Sequence, residues 1–263
     1  MEKLNQNKKQ KILKKTIKWS KEVGKYQKEK INSNISIKSK DTEIDLVTEI
    51  DEKSEEIITN HIKEEFPEHS ILAEEKNSKE TDSEFKWIID PIDGTINYAH
   101  KFPIYCISIA LKHREKVKIG AIHVPTFNET YTAIRGQGAY MNGNPIKVSN
   151  CKNLNKAILA TGFPYDRKIS AEDNVDNFRK MIKKIGGIRR IGTAAYELTQ
   201  VARGVFDGYW EMKMNPWDIA AGTLIVKEAG GQVTNLKGEE IEDEPFVIAG
   251  NKNINEKIIE ELK

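Results

Sequence analysis

Hydrophobic residues near the start of the chain recur at the spacing of an α-helix. Leu13, Ile17 and Val23, with the small residues Thr16 and Ser20, lie at positions i, i+3, i+4, i+7 and i+10 and form one stripe. Lysines fill many of the positions between them. An amphipathic helix places its apolar stripe on a core and its charges in water, so the pattern predicts such a helix.

The following stretch predicts a second helix and then a series of strands. Ile58, Ile62 and Phe66 recur every four residues. The helix would run from about Asp51 to Phe66, because the next residue, Pro67, breaks helices. Segments rich in Ile, Val, Tyr and Phe come next, at 85–90, 104–111, 117–123 and 130–135. They predict a mainly antiparallel sheet.

The second half of the chain predicts a hairpin and further helices alternating with short strands. Asn142-Gly143 is a residue pair that tolerates positive φ at both central positions of a turn, which favours a tight hairpin. Helical spacing of apolar residues returns at 175–185, 194–202 and 254–262. The order of elements predicts an α+β or layered α/β fold.

Composition adds limits to this picture. The chain has 263 residues, 38% of them hydrophobic and 31% charged, with a net charge of +2, which is typical of globular proteins. No apolar run reaches the roughly 18 to 20 residues that cross a bilayer, so we expect a soluble cytoplasmic protein without a membrane partner. Two cysteines, Cys106 and Cys151, provide neither a disulfide framework nor zinc-ligand spacing.

Positive charge is concentrated at the N-terminus. Residues 1–40 contain thirteen lysines and three acidic residues, a net charge of +10. Contact with nucleic acid or an anionic surface is one interpretation. We favour the other, a solvated helix face, because the lysines alternate with a stripe that needs a core; a nucleic-acid partner is therefore not expected.

The segment Trp87 to Thr95 is the strongest candidate for chemistry. An apolar strand ends there in two carboxylates, Asp90 and Asp93, on either side of Pro91. Proline fixes one φ angle and the following Gly94 allows unusual ones, so the chain can turn while both carboxylates converge. Oxygen-rich clusters without sulfur suit Mg²⁺. The alternative is an ordinary acidic turn.

Three further acidic segments lie at predicted element boundaries. Glu74 and Glu75 follow an apolar pair directly, so one of them must face the interior, either as a ligand or in a salt bridge. Asp218 lies in the first turn of an Ala-rich helix, where the helix dipole favours an anion. Asp45 and Asp51 flank a third cluster, although Asp51 could simply cap the following helix.

These segments together resemble the inositol monophosphatase family. Its pattern Trp-x-Ile-Asp-Pro-Ile-Asp-Gly-Thr-x-Asn-aromatic is met at 87–98, Asp-x-Val-Thr-x-x-Asp at 45–51 and Trp-Asp-x-Ala-Ala-Gly at 217–222, while the usual Gly-Glu-Glu is Ala73-Glu74-Glu75. Order and spacing agree from about residue 40 to 250. The resemblance implies a layered αβαβα sandwich and an Mg²⁺-dependent, lithium-sensitive phosphatase.

The resemblance also implies a role for individual residues. Two or three Mg²⁺ ions would be bound by the carboxylates of Glu74, Asp90, Asp93 and Asp218 and by the carbonyl oxygen of Ile92. Asp51 would hold a metal-bound water, and Thr95 with Glu74 would hydrogen-bond the attacking water. The substrate would be contacted by Asp93, Gly94, Thr95, Gly192, Ala194, Glu211 and Asp218. Lys40 would belong to a metal-site loop, although Lys38 is close enough to compete for that role.

The expected reaction is hydrolysis of inositol monophosphate by in-line attack of water, with inversion at phosphorus. Fructose 1,6-bisphosphatase and bisphosphate nucleotidase activities use the same metal core and stay open as alternatives. A haloacid-dehalogenase-type phosphatase needs Asp-x-Asp, whereas two residues separate the aspartates here. A partner of RNA or of the transcription machinery is the alternative of another class, supported only by the basic N-terminus.

The expected organisation is one phosphatase unit over 1–263, with a Lys-rich helical segment at 1–40. A division into a metal-binding half at 1–150 and a smaller α/β half at 151–263 is also compatible with the pattern. Family resemblance implies a homodimer and a small-molecule phosphate monoester as substrate. We expect structural roles for Cys106, Cys151, His100 and His123, and packing roles for Trp87, Tyr98 and Trp217.

Overall fold

The computed structural model describes residues 5–33, 36–40 and 45–263. The helices are α1 (Gln6–Lys30), α2 (Glu49–Glu65), α3 (Thr95–Ala99), α4 (Val175–Met181), α5 (Ala194–Ala202), α6 (Pro216–Glu228) and α7 (Lys252–Leu262). The strands are β1 (Ile37–Ser39), β2 (Leu46–Thr48), β3 (Ser70–Ala73), β4 (Phe85–Asp93), β5 (Cys106–His113), β6 (Lys116–Val124), β7 (Glu129–Ile134), β8 (Ala139–Met141), β9 (Asn144–Pro145), β10 (Ile158–Thr161), β11 (Gly187–Arg189), β12 (Gly208–Glu211), β13 (Gln232–Thr234) and β14 (Val247–Gly250).

Two sheets form the framework of the molecule. The larger has the order β3-β4-β5-β6-β7-β8-β9 and is antiparallel except for the β3–β4 pair. The smaller has the order β11-β10-β12-β14-β13 and mixes parallel and antiparallel pairs. The mainly antiparallel sheet predicted from the sequence is confirmed, and its strands are the four predicted ones with β3, β8 and β9 added.

Helices cover both sheets and lie between them. α1 and α2 pack on the outer face of the large sheet, α5 and α6 fill the space between the sheets, and α7 packs on the outer face of the small sheet. Because both faces of the large sheet are covered, β5 and β6 are buried on both sides and read as continuous apolar runs. The layered αβαβα sandwich is therefore confirmed.

The predicted first helix exists, but its buried stripe is rotated from the predicted one. Thr16, Ser20 and Val23 are buried as predicted, and Ile12 and Trp19 are buried with them. Leu13 and Ile17 lie at the side of the helix and are partly exposed. Trp19 explains the rotation, because its ring lies 5.7 Å from that of Trp87 on β4 and completes an aromatic cluster under α1.

The other predicted elements are mostly confirmed, with shifts at their ends. α2 begins two residues before Asp51 because Thr48 caps it. The hairpin has φ angles of 49° at Asn142 and 84° at Gly143, as its residue pair requires. The helix expected over 175–185 is too long: α4 ends at Met181, which is buried, and Ile182 is exposed. Among the described residues, no helix is long and apolar enough to span a membrane.

Candidate active site

A cavity of about 390 Å³ opens between the two sheets, at the ends of β3, β4 and β12 and the starts of α5 and α6. Nearly all of the predicted site residues line it: Glu74, Asp90, Ile92, Asp93, Gly94, Thr95, Gly192, Ala194, Glu211 and Asp218. Asp51 lies behind the wall and reaches the cavity through a hydrogen bond with Thr95. Segments far apart in sequence therefore meet in one place.

The end of β4 turns so that its two aspartates face the cavity. Pairing with β5 is regular up to Asp90 and becomes irregular between Asp90 and Asp93. Gly94 then takes φ +98°, a conformation that side chains disfavour, and a Cβ there would lie 3.3 Å from the Ile104 carbonyl oxygen. The irregular pairing between Asp90 and Asp93 and the turn at Gly94 together explain why both carboxylates face the cavity.

Asp93 is held by donors from another part of the chain. Its Oδ2 accepts hydrogen bonds from Thr193 Oγ1 at 2.7 Å, the Ala195 backbone N–H at 2.6 Å and the Cys106 thiol at 3.6 Å. Burial raises the pKa of Asp93 to about 6, although these three donors favour the charged form. Cys106 is a core residue, as expected, and its thiol also touches the site.

Asp90 has a carboxylate oxygen in the cavity that lacks a hydrogen bond within the described part of the chain. Its Oδ1 is buried and has no hydrogen-bond partner among the described residues. Burial raises the pKa of Asp90 well above its ordinary value, and repulsion from Glu74, Asp93 and Asp218 raises it further. A buried acceptor without a donor is costly, so this oxygen is suited to an external cation or proton.

Asp218 faces Asp90 from the start of α6. Pro216 opens the helix, and the Asn215 backbone N–H donates to Asp218 Oδ2 at 2.7 Å, closing a capping box. Burial raises the pKa of Asp218 well above its ordinary value, with Glu74 as the next cause. The capping bond leaves the second carboxylate oxygen available to the cavity.

Lys40 and the Glu74–Glu75 pair form the outer edge of the site. The Lys40 ammonium donates to Glu74 Oε1 at 2.8 Å and to Glu75 Oε1 at 2.6 Å. Burial and repulsion from Glu74 raise the pKa of Glu75 to about 7, although Lys40 opposes the rise. Lys40, and not Lys38, therefore lines the cavity.

Asp51 and Thr95 form a hydrogen-bonded pair at the back of the cavity. Asp51 Oδ2 accepts from the Thr48 backbone N–H at 2.9 Å and from the Thr48 hydroxyl, and its Oδ1 accepts from Thr95 Oγ1 at 2.9 Å. Burial raises the pKa of Asp51 to about 6. Thr48 is the N-cap of α2, and Asp51 completes its capping box while it also accepts a hydrogen bond from Thr95.

The opposite wall contains a second group of polar residues. Glu211 Oε2 accepts from the Tyr209 hydroxyl at 2.5 Å, and burial raises the pKa of Glu211 to about 7. Gly162 lies so close that a Cβ on it would be 1.9 Å from Glu211 Oε1. Beneath this wall the buried Glu197 accepts from the Ile191 backbone N–H at 2.7 Å, which fixes the loop before Gly192.

Several residues of the site were missed by sequence reasoning. Arg190, Tyr165 and Thr193 line the cavity, and Glu197 supports it. Thr193 lies inside the loop that the family resemblance pointed to, but nothing in its spacing connects it to Asp93, 100 positions away. His100 is exposed, and His123 is buried beneath α1, so neither approaches the site.

The donor set of the cavity fits a hard divalent cation by its chemistry. All candidate ligand atoms are oxygens, from four acidic side chains and the Ile92 carbonyl, as Mg²⁺ and Ca²⁺ prefer. No three of the acidic, histidine or cysteine side chains that the structure describes are already gathered as ligands of a single ion. Lys40 instead neutralises Glu74, and Asp90 keeps an oxygen without a partner.

Comparison with known proteins gives a consistent result. A model of the inositol monophosphatase family matches residues 8–263. A fructose-1,6-bisphosphatase/inositol-1-monophosphatase from Aquifex aeolicus is 40% identical over 225 residues, 84% of this chain and 83% of the relative. The Nus factor SuhB from Pseudomonas aeruginosa is 40% identical over 223 residues, 82% of each chain.

Solved structures agree over nearly the whole chain. The extragenic suppressor protein SuhB from Bartonella henselae superposes with a TM-score of 0.90 at 34% identity, covering 96% of this chain and 98% of its own. The IMPase from Thermotoga maritima gives 0.88 at 36% identity and 96% coverage of both chains. An IMPase/NADP phosphatase complexed with Mg²⁺ and phosphate gives 0.84 at 29% identity, covering 97% and 95%.

Proposed function

This chain belongs to the inositol monophosphatase family, and we propose that it is a Mg²⁺-dependent phosphatase that hydrolyses inositol monophosphate to inositol and phosphate. The observation that most supports the proposal is Asp90 Oδ1, buried without a hydrogen-bond donor and facing three further acidic side chains. Two like charges about 4 Å apart repel by roughly 4 kcal/mol at an effective dielectric near 20, so such a cluster needs cations or protons.

The metal would be held by Glu74, Asp90, Asp93, Asp218 and the Ile92 carbonyl. The relative complexed with Mg²⁺ and phosphate supports this choice of ion, and we propose two or three ions and inhibition by Li⁺. When bound, Mg²⁺ supplies a polarised phosphoryl oxygen, a more acidic water and charge relief on the leaving alkoxide. Cys106, Thr193 and Ala195 would keep Asp93 in the orientation that this binding requires.

The chain itself would orient the attacking water. The Thr95 hydroxyl proton is engaged by Asp51, so the lone pairs of Thr95 Oγ1 are turned to accept a hydrogen bond from water. Glu74, on the same side of the cavity, would accept the second water proton. Attack then proceeds in line, without a phosphoenzyme, and inverts the configuration at phosphorus.

The substrate would lie between the two walls. The Gly94 and Thr95 backbone N–H groups would receive the phosphate, and Asp93 and Asp218 would also contact the substrate. Glu211 would accept hydroxyl groups of the inositol ring, and Gly192 and Ala194 would line its far side. The absence of a Cβ at Gly162 leaves room for Glu211 Oε1, and the Tyr209 hydroxyl holds Oε2.

A sugar or nucleotide bisphosphate is the second candidate substrate. Arg190 lines the same cavity on the Glu211 side, away from the acidic cluster, and its guanidinium could pair with a second phosphate. The Aquifex aeolicus relative, described as acting on both fructose 1,6-bisphosphate and inositol 1-phosphate, supports this alternative. We further propose a cytoplasmic homodimer formed by one phosphatase unit per chain.

Phosphate release from a panel of monoesters tests the proposal. The panel contains inositol 1-phosphate, fructose 1,6-bisphosphate and 3′-phosphoadenosine 5′-phosphate, each assayed with 0 to 10 mM Mg²⁺ and with EDTA. We expect metal-dependent hydrolysis, fastest with inositol 1-phosphate, that is lost in Asp90→Asn and kept in the exposed control Asp82→Asn.

Four results would contradict it. Equal rates with EDTA would exclude the metal, and a phosphoaspartate trapped at Asp90 or retention at a chiral phosphorus would exclude direct attack by water. A faster rate on either bisphosphate would exclude inositol monophosphate as the preferred substrate. Arg190→Gln would then lower the bisphosphate rate more than the monoester rate.

A further inference from the structure

Six lysines form a continuous stripe along the exposed face of α1. They are spaced three or four residues apart and are Lys11, Lys14, Lys18, Lys21, Lys25 and Lys28. All six are exposed, and among the described residues only Lys25 has an ion pair, a loose one of 3.9 Å with Glu29. The proposed phosphatase activity uses none of them, because the catalytic cavity is lined by other parts of the chain.

A groove runs beside this stripe, between α1 and the β7–β8 hairpin. Two adjoining cavities of about 510 and 430 Å³ form it, and they share Lys21 and Asn128. The groove extends along α1 from Gln10 to Glu29, about 28 Å at the helical rise of 1.5 Å per residue. Leu13 and Ile17, which lie at the side of α1 and are partly exposed, line it.

The charge of the groove is strongly positive. Lys14, Lys21, Lys25 and Lys28 line it, and Glu29 is its single acidic lining residue among those described. Burial, together with the charges of Lys21 and Lys28, lowers the pKa of His123 in the groove floor to about 4. These lysines therefore produce a field that the surrounding side chains do not cancel.

The opposite wall offers a ring and hydrogen-bonding groups. Tyr140 is 37% exposed, and its hydroxyl donates to the Gln137 carbonyl at 3.0 Å, which fixes the ring at the groove edge. The side chains of Asn128 and Thr132 line the groove and have no hydrogen-bond partner among the described residues. A row of cations facing an aromatic ring and free polar groups is typical of single-strand nucleic-acid sites.

We propose that this groove binds single-stranded RNA, with the lysines of α1 on the phosphates and a base stacked on Tyr140. The 28 Å length suits the shorter single-strand sites, which cover about 4 nucleotides or more. The free side chains of Asn128 and Thr132 could hydrogen-bond 2′-hydroxyls and base edges. The proposal revises the interpretation of the basic segment as a merely solvated helix face, because its lysines form the wall of a groove.

A lipid surface fits this region less well. A membrane-binding amphipathic helix inserts its apolar face into the lipid, whereas the apolar face of α1 is buried against the large sheet. Duplex RNA fits less well too, because a base can stack on Tyr140 only when it is unpaired.

Fluorescence anisotropy of labelled 12-nucleotide oligouridylate, with the full-length protein, tests the proposal. We expect the logarithm of the binding constant to fall linearly with log[salt]. The slope should be about −2 to −3, the value for three or four phosphates on a single strand. Replacing the four groove lysines (Lys14, Lys21, Lys25 and Lys28) with Gln should weaken binding at least tenfold and flatten the slope.

The matched control carries the same change in charge elsewhere. Lys152, Lys156, Lys180 and Lys183 are exposed near the small sheet and, among the described residues, have no ion pair. Their combined replacement with Gln should leave binding within about twofold of the wild type. Both quadruple variants should keep the melting temperature and the phosphate release of the wild type, so a failure of RNA binding is distinguishable from a failure of the phosphatase proposal.

Tyr140 supplies a second, independent test. Tyr140→Ala should weaken RNA binding at least about fivefold, since one stacked base is worth roughly 1 to 3 kcal/mol. Tyr140→Phe, which keeps the ring, should bind like the wild type.

Equal losses of RNA binding in the two quadruple lysine variants would overturn the proposal. Binding of oligothymidylate or duplex RNA as tightly as oligouridylate would also overturn it. Binding to vesicles with 30% phosphatidylserine in the absence of RNA binding would overturn it in favour of a membrane.

Discussion

The Thr95 hydroxyl donates a hydrogen bond of 2.9 Å to Asp51 Oδ1 across 44 positions of sequence. The same hydroxyl lies 3.1 Å from the Ile92 carbonyl oxygen, so its proton is shared between two acceptors within the protein. Thr95 also lines the cavity, so we propose that the lone pairs of this hydroxyl accept a hydrogen bond from water there. This arrangement connects the capping box of α2 with the group that we propose to orient the attacking water.

Replacing Thr95 with Val removes this hydroxyl and keeps the shape of the side chain. We expect kcat for inositol 1-phosphate to fall about 100-fold or more, the usual scale for a lost proton-handling group, with little change in KM. The measurement is steady-state phosphate release at saturating Mg²⁺. Thr126→Val is the control, because the Thr126 hydroxyl only donates to the Pro103 carbonyl in a surface turn. A kcat within threefold of the wild type would contradict the role of Thr95.

Replacing Gly162 with Ala should disturb the substrate wall. The added Cβ would lie 1.9 Å from Glu211 Oε1, so the Glu211 carboxylate must move. We expect kcat/KM for inositol 1-phosphate to fall about tenfold, the cost of a charge-assisted hydrogen bond of roughly 1.5 kcal/mol. The rate on p-nitrophenyl phosphate, which has no ring hydroxyls, should change little.

Gly187→Ala is a matched control for this substitution. Gly187 lies on β11 of the same sheet, and a Cβ there would meet its nearest atom, of Arg189, at an ordinary 3.6 Å. Equal losses on both substrates in Gly162→Ala would indicate general damage and not a displaced Glu211.

Cys106 should affect the affinity for Mg²⁺ through its hydrogen bond to Asp93. Its thiol donates to Asp93 Oδ2, and outer partners of metal ligands commonly change affinity by about 10- to 100-fold when they are removed. Because a thiol is a weak donor, we expect Cys106→Val to raise the half-saturating Mg²⁺ concentration about tenfold, and Cys106→Ser, which keeps a donor, to raise it less. A Mg²⁺ titration of activity measures both. An identical change in the two variants would show that packing, and not the hydrogen bond, matters.

The sequence predicted the elements that carry local signals. The end of β4 was predictable because an apolar strand runs into Asp90-Pro91, and the hairpin because Asn142-Gly143 matches the turn that it forms. The family resemblance then placed Glu74 and Asp218 in the same site, which periodicity alone could not do.

The rest depended on tertiary contacts. The register of α1 follows from the fit of Trp19 against Trp87, which no spacing rule contains. α4 ends at Met181: Ile182 is exposed, whereas Ile185 packs on the core beside the small sheet although it lies outside the helix. The donors to Asp93 come from α5 and β5, and only the folded chain brings them together.

The stability of the metal-free protein should fall as the pH rises from about 5 to 8. Burial raises the pKa of Glu211 to about 7, whereas an unfolded chain keeps it near 4.5. Between these values the folded protein holds a proton that the unfolded chain has lost, so stability decreases with pH by at most about 1.4 kcal/mol per unit for this group. Below about pH 4.5 both states are protonated, and the contribution of Glu211 no longer changes.

Glu211→Gln removes the titrating group and isolates its contribution. In EDTA the variant should match the wild type near pH 5 and become the more stable protein towards pH 8, because the neutral amide need not lose a proton there. Urea unfolding at pH 5, 6, 7 and 8 measures the difference. Glu260→Gln, an exposed change on α7, should show no such trend. A gap between Glu211→Gln and the wild type that stays constant with pH would show that Glu211 does not titrate in this range.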